Sequence, residues 1–240
     1  MILANSLIEG FLGSNLIGKS IVIIQLAGSV VMVAAIIGKL RALLSIETAT
    51  RRFLRDFTAG MDVLDYYFTR RPTMTIGLEG IYKDTCERLL KLLPPDVRSM
   101  LARRQAIGSG VVSLTDSEVE LVRGTCDHSL DEEELRIGKG MVVISTVVAL
   151  APMLGLLGTV WGVLDAFADM GTAGSANLAT IAPSISAALV TTVVGLIVAI
   201  AGVVAYNYMD NIIRKLSSDM EGFVEELTGR IACEFQRKGA

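Results

Sequence analysis

From Gly171 to Met209 the chain carries no Asp, Glu, Lys, Arg or His, and a second uncharged run extends from Met141 to Leu164. Apolar runs of about 20 residues or more are the length a helix needs to cross a bilayer. Two such runs exclude an ordinary cytosolic enzyme and a secreted disulfide scaffold. A third apolar stretch, Ser20 to Gly38, is bounded by Lys19 and Lys39 and has one polar interruption, Gln25. Hydrophobic residues make up 52% of the 240, and the mean hydropathy is +0.55. The expected fold is all-α and integral to a membrane, with three transmembrane helices and long cytoplasmic helical extensions.

Lys and Arg placement sets the expected orientation, because cytoplasmic flanks are the basic ones. Segment 39–140 holds 16 Lys and Arg, five of them by Arg55, whereas 165–177 holds none. Arg214 and Lys215 follow the third run. The predicted order is an N-terminus outside (1–19), a first span (20–38), a cytoplasmic helical region (39–140) and a second span (141–164). A short outside loop (165–177), a third span (178–209) and a cytoplasmic amphipathic tail (210–240) complete it. The N-terminus lacks the basic region and cleavage site of a signal peptide, so the first span is expected to stay as an anchor. The third run would be about 48 Å long as a helix against about 30 Å of hydrocarbon, so it must tilt or project.

Outside the spans the chain reads as helical. Phe53, Leu54, Phe57, Met61 and Leu64 recur at helical spacing, as do Leu78, Ile81, Tyr82, Cys86, Leu89, Leu90 and Leu93. Pro94-Pro95 breaks the second of these runs. Thr115-Asp116-Ser117-Glu118 supplies capping residues for a helix expected to continue through Glu134 into the second span. Leu216, Met220, Phe223, Leu227 and Ile231 predict an amphipathic inward extension of the third helix.

The composition narrows the chemistry. Net charge is −3, which gives no basic excess for nucleic acid. Cys86, Cys126 and Cys233 have no metal-ligand spacing, and with His128 as the only histidine no zinc set can be built. The cysteines read as reduced thiols and His128 as a solvated side chain. No nucleophile–base pair or phosphate-cradling loop is visible, and the 171–177 stretch GTAGSAN lacks the lysine of a P-loop. The expectation is a non-enzyme without cofactor or metal.

The second and third spans carry a pattern of their own. Ala151, Gly155, Gly158 and Gly162 form a small-residue stripe on one helix, and Ser184, Ala188, Thr191, Gly195, Ala199 and Gly202 form one on the other. In lipid, helices associate through close backbone approach at such stripes, so tight packing in a bundle or oligomer is expected. Pro152 and Pro183 each remove a backbone donor and shape their helices. Thr159, Thr191 and Thr192 allow two readings: bonds to their own helix, or a hydroxyl ladder along a narrow wet path. Intramembrane carboxylates, histidines or lysines mark proton relays, and both spans lack them. A titrating group would have to come from a partner helix. On the residues alone a hydroxyl-lined proton path and a passive helical scaffold both remain open.

Ala151–Phe167, APMLGLLGTVWGVLDAF, resembles the signature of the MotA/TolQ/ExbB proton-channel family. The likeness continues through Asn177-Leu178-Ala179, Ile181-Ala182-Pro183, Gly195-Leu196 and Tyr206-Asn207, and the early first span is more TolQ-like than ExbB-like. The resemblance implies a five-fold ring in a bacterial inner membrane around single-span helices of a TolR/ExbD-type partner that supplies a membrane aspartate. Proton entry would then drive force transmission to the cell envelope. It also implies pore threonines at Thr159 and Thr192. The family pattern has a glutamate in the third span where this chain has Ala187, as MotA-like members also lack it. Ser184 and Ser186, with water, are the expected stand-ins.

Overall fold

The computed structural model describes residues 16–58, 63–70, 76–102, 114–173 and 178–235, the side chains at 65, 70, 101–102, 172–173, 178–180 and 183 excepted. Seven helices are described: α1 (Leu16–Thr58), α2 (Asp65–Arg70), α3 (Leu78–Leu92), α4 (Pro95–Ala102), α5 (Asp116–Gly138), α6 (Met141–Ala173) and α7 (Leu178–Phe235). No strand occurs among the described residues. Three helical segments, within Leu16–Thr58, Asp116–Gly171 and Ser184–Phe235, are long and apolar enough to cross a membrane. The fold is all-α, as the uncharged runs require. Met61, Asn177 and the Pro183 ring lie outside what is described.

Helix ends follow local chemistry. Thr115 and Glu118 form a capping box at the start of α5: Glu118 N donates to Thr115 Oγ1 (3.3 Å), and Thr115 N donates to the Glu118 carboxylate (2.8 Å). α3 stops at Leu92, with Leu93 extended ahead of the prolines, and Pro95 opens α4, where its missing N–H costs nothing. The helix expected to run unbroken from Asp116 into the second span is interrupted at Lys139-Gly140. Gly140 takes φ +90°, a conformation open to glycine and strained for other residues. Helical structure also runs past Leu164 to Ala173, because nothing in Asp165–Ala173 breaks a helix.

The chain divides into two compact units, Met1–Leu40 with Gly140–Asp210, and Arg41–Lys139 with Asn211–Ala240. The second unit has a conventional apolar core. Phe53, Phe57, Tyr82 and Phe223 pack ring against ring at 5.2–5.8 Å. The buried Tyr82 hydroxyl donates to Val63 O (2.6 Å) and accepts from Tyr67 N (3.0 Å). Glu133, buried between α5 and the start of α3, accepts from Gly77 N (3.0 Å) and Arg136 Nη1 (2.9 Å), which meets its need for partners. The amphipathic residues Leu216, Met220, Phe223, Leu227 and Ile231 are all buried, on an α7 that continues to Phe235. Glu47 on α1 holds Arg51 (2.8 Å) and, from α7, Lys215 (3.4 Å).

Candidate functional site: a glycine seam between α6 and α7

The first unit is built differently, around small residues. On α6, Ala151, Gly155 and Gly158 are buried, and on α7 so are Ala188, Thr191, Gly195, Ala199 and Gly202. The two stripes face each other in antiparallel register. A Cβ added at Gly162 would strike Ala188 Cβ, one at Gly158 the Thr191 side chain, one at Gly195 the Ala151 carbonyl oxygen, and one at Gly202 the Val148 side chain. At Gly155 it would lie 2.9 Å from Thr192 Cα and 3.1 Å from Thr191 O. The stripes therefore join two helices of one chain at backbone contact, the arrangement lipid favours because it supplies no hydrophobic force of its own.

Gln25 of α1 closes the seam. Its side chain is buried and Nε2 donates to Ala151 O at 3.1 Å, beside the spot where a Cβ on Gly195 would stand (2.8 Å). Sequence reading passed over this residue as an interruption. The signal was present: a lone amide in an otherwise apolar span is a helix-to-helix hydrogen bonder.

Three of the five candidate hydroxyls meet in the seam. Thr192 Oγ1 donates to Gly155 O at 2.8 Å, from α7 to α6. Thr191, 1% exposed, has its Oγ1 2.7 Å from Ala188 O and 3.2 Å from the same Gly155 O. The half-buried Ser184 lines a cavity of about 20 Å³ together with Gly158, Gly162, Ala187 and Thr191. That volume holds one water. Thr159 is half-buried and donates within its own helix to Leu156 O (2.8 Å), while Ser186 is exposed on the isolated chain. Pro152 sits inside α6 without ending it, and its missing N–H leaves the Val148 carbonyl without the usual helical donor.

Among the described residues no group of three or more His, Cys, Asp or Glu could hold a metal. What the seam offers is hydroxyls and carbonyls in tight apolar surroundings, a chemistry of hydrogen bonds.

Residues 98–222, just over half the chain, match the model of the MotA/TolQ/ExbB proton channel family. The chain belongs to that family. The matched segment contains α6 and most of α7, and so the whole seam. The chain is similar to the Tol-Pal system protein TolQ of Haemophilus influenzae, with 28% identity over 223 residues, 91% of this chain and 90% of the relative. TolQ of Pseudomonas aeruginosa is 29% identical over 201 residues, 80% of each chain. The biopolymer transport protein ExbB of Neisseria gonorrhoeae is 38% identical over 104 residues, 43% of this chain and 47% of the relative. Similarity to these ExbB chains is thus higher but shorter, and similarity to the TolQ chains runs nearly end to end.

Proposed function

We propose that the chain is the ring-forming subunit of a proton-motive-force-driven motor in a bacterial inner membrane. It conducts protons together with a TolR/ExbD-type single-span partner, and transmits force to the cell envelope. The observation that carries this reading is the seam itself. Two threonine hydroxyls reach one carbonyl, Gly155 O, between helices that carry no Asp, Glu, Lys, Arg or His from Met141 to Leu164 and from Gly171 to Met209. Such a path can relay protons and has no acid at its centre, so a partner aspartate supplies the titrating step. Membership of a proton channel family supports it, and the near full-length likeness to proteins named for the Tol-Pal system favours an envelope role. Thr159, Thr191, Thr192, Ser184 and Ser186 are the proposed path residues, and five copies the proposed ring. The 39–140 segment, which holds 16 Lys and Arg where 165–177 holds none, is cytoplasmic and the N-terminus periplasmic in this reading.

The test is reconstitution. The chain is co-purified with the small single-span product of the adjoining gene and placed in liposomes containing a pH-sensitive dye. Proton uptake under a potassium diffusion potential should require both polypeptides. Thr192→Val, nearly isosteric, should keep the assembly and lower the flux. An assembly that forms and never conducts would make the chain a passive scaffold. Ala187, at the place where the family resemblance puts a glutamate, favours a second reading, a stator subunit of the MotA or gliding type.

A further inference from the structure

The water-sized cavity at the end of the seam has a carboxylate on its wall. Continuing the α6–α7 register one turn beyond the Gly162–Ala188 contact brings Asp165 level with Ser184, and both line the cavity with Thr191. Asp165 follows directly on the uncharged run that ends at Leu164, and is half-buried, whereas Asp169, one turn on, is exposed. The facing residues of α7, Ser184, Ala187, Ala188 and Thr191, do not titrate. On α1 the cavity meets Gly18, whose neighbour Lys19 is the charged group of that turn. Thr191 connects the cavity inward, since its hydroxyl reaches the Gly155 carbonyl that also accepts from Thr192. A carboxylate, one water's space and two hydroxyls thus stand in sequence along the seam.

We propose that Asp165 is the proton-exchanging group at the mouth of the seam, passing protons between outside water and the cavity lined by Ser184 and Thr191. The carboxylate takes a proton from hydronium at the mouth and becomes the neutral acid. It then gives that proton to a water in the cavity and returns to the carboxylate, so no other reactant is consumed. This rests on the proton-conducting reading above and adds to it an acid belonging to this chain.

The experiment uses the reconstituted complex with its single-span partner, and reads proton flux against pH for wild type, Asp165→Asn, Asp165→Glu and Thr192→Val. Asn keeps the shape and cannot titrate, while Glu keeps the charge on a longer arm. The expected result is flux about a hundredfold or more below wild type for Asp165→Asn, the scale of losing a positioned acid–base group. The acidic inflection of the pH profile should be lost in Asp165→Asn and retained, displaced, in Asp165→Glu. A wild-type profile in Asp165→Asn, in a complex where Thr192→Val is impaired, overturns the role of Asp165 and leaves the channel reading standing. Equal loss in Asn and Glu variants also overturns it, since position rather than titration would then be what matters. Absence of flux from the wild-type complex removes the channel reading and this proposal together.

Discussion

At Gly195 an added methyl would overlap the Ala151 carbonyl oxygen and come within 2.8 Å of Gln25 Nε2. One obstacle is backbone and the other is a buried, hydrogen-bonded amide, so neither can swing aside. Gly195→Ala should therefore lose about 1–3 kcal/mol, the usual cost of overpacking. Gly222, also helical, has nothing within 4 Å of its virtual Cβ. Gly222→Ala should be neutral or stabilising by up to about 1 kcal/mol, because alanine loses less entropy on folding. Thermal unfolding of the two purified variants in the same detergent checks the contrast, and similar melting temperatures would mean the seam is looser than described. The same reasoning applies to Gly158→Leu. The stripe faces α7 of the same chain, so the damage should appear as misfolded subunit before any effect on assembly. Gln25 is a subtler case. Its Nε2 is bonded, but Oε1 is buried with no partner among the described residues. Replacing an amide that makes one bond and leaves one acceptor orphaned is close to neutral, so Gln25→Met should melt within about 1 kcal/mol of wild type. Gln25→Glu, which must bury a carboxyl at the same place, should melt below Gln25→Met.

Individual helices carry their own signatures. The Glu118 carboxyl is held below the ordinary carboxylate range, first by the hydrogen bond from Thr115 N and then by that from the Thr115 hydroxyl. A folded-state value below the unfolded one contributes stability that is present above the unfolded pKa and is lost as pH falls through the folded one. The first turn of α5 should therefore fray selectively on acidification below about pH 4. Amide exchange at 117–120, corrected for its intrinsic pH dependence, should rise there in wild type and stay flat in Glu118→Gln, which keeps the cap without a charge. Between α3 and α5, burial pushes the Cys126 thiol up to about 11 and the Cys86 thiol higher still, while Cys233 is exposed. Thiolate is the reactive form, so maleimide at neutral pH should label Cys233 alone in the folded protein and all three cysteines after denaturation. These elements also mark how far sequence reaches. Spans and stripes were legible because charge exclusion and a 3.6-residue period are local patterns, and the Thr115–Glu118 cap is a four-residue motif. The break at Lys139-Gly140 was not, because glycine is compatible with both a helix and a turn. The pairing of Phe53 and Phe57 with Phe223 was not either, since nothing in a local period says which distant helix a ring will meet. The charge of Asp165 ends an uncharged run and so reads as the start of a loop, although nothing after Leu164 stops a helix before Ala173.

For the molecule as a whole, the membrane-length helices leave much apolar surface uncovered. On α6, Met153, Leu156, Val160, Leu164 and Phe167 step by three and four along the face away from the seam, each more than half exposed. On α7, Leu189, Val193, Ile197, Ile200 and Val204 step likewise, all but Val193 more than half exposed. The seam consumes one face of each helix, and the remaining faces must meet lipid or other copies of the chain. In the proposed ring the α6 stripe lies outward or between subunits, while Thr191 and Thr192 turn into the seam of their own chain. A lysine placed at the centre of a lipid-facing helix costs about 2.5–3.5 kcal/mol, whereas one lining a water-filled lumen is tolerated. Val160→Lys should therefore abolish assembly, while wild type elutes at a protein mass several times 25.6 kDa, five-fold in this reading. Light scattering on the detergent-solubilised complex measures both. If Val160→Lys instead assembles and conducts, that stripe lines the lumen, and its outward placement is overturned.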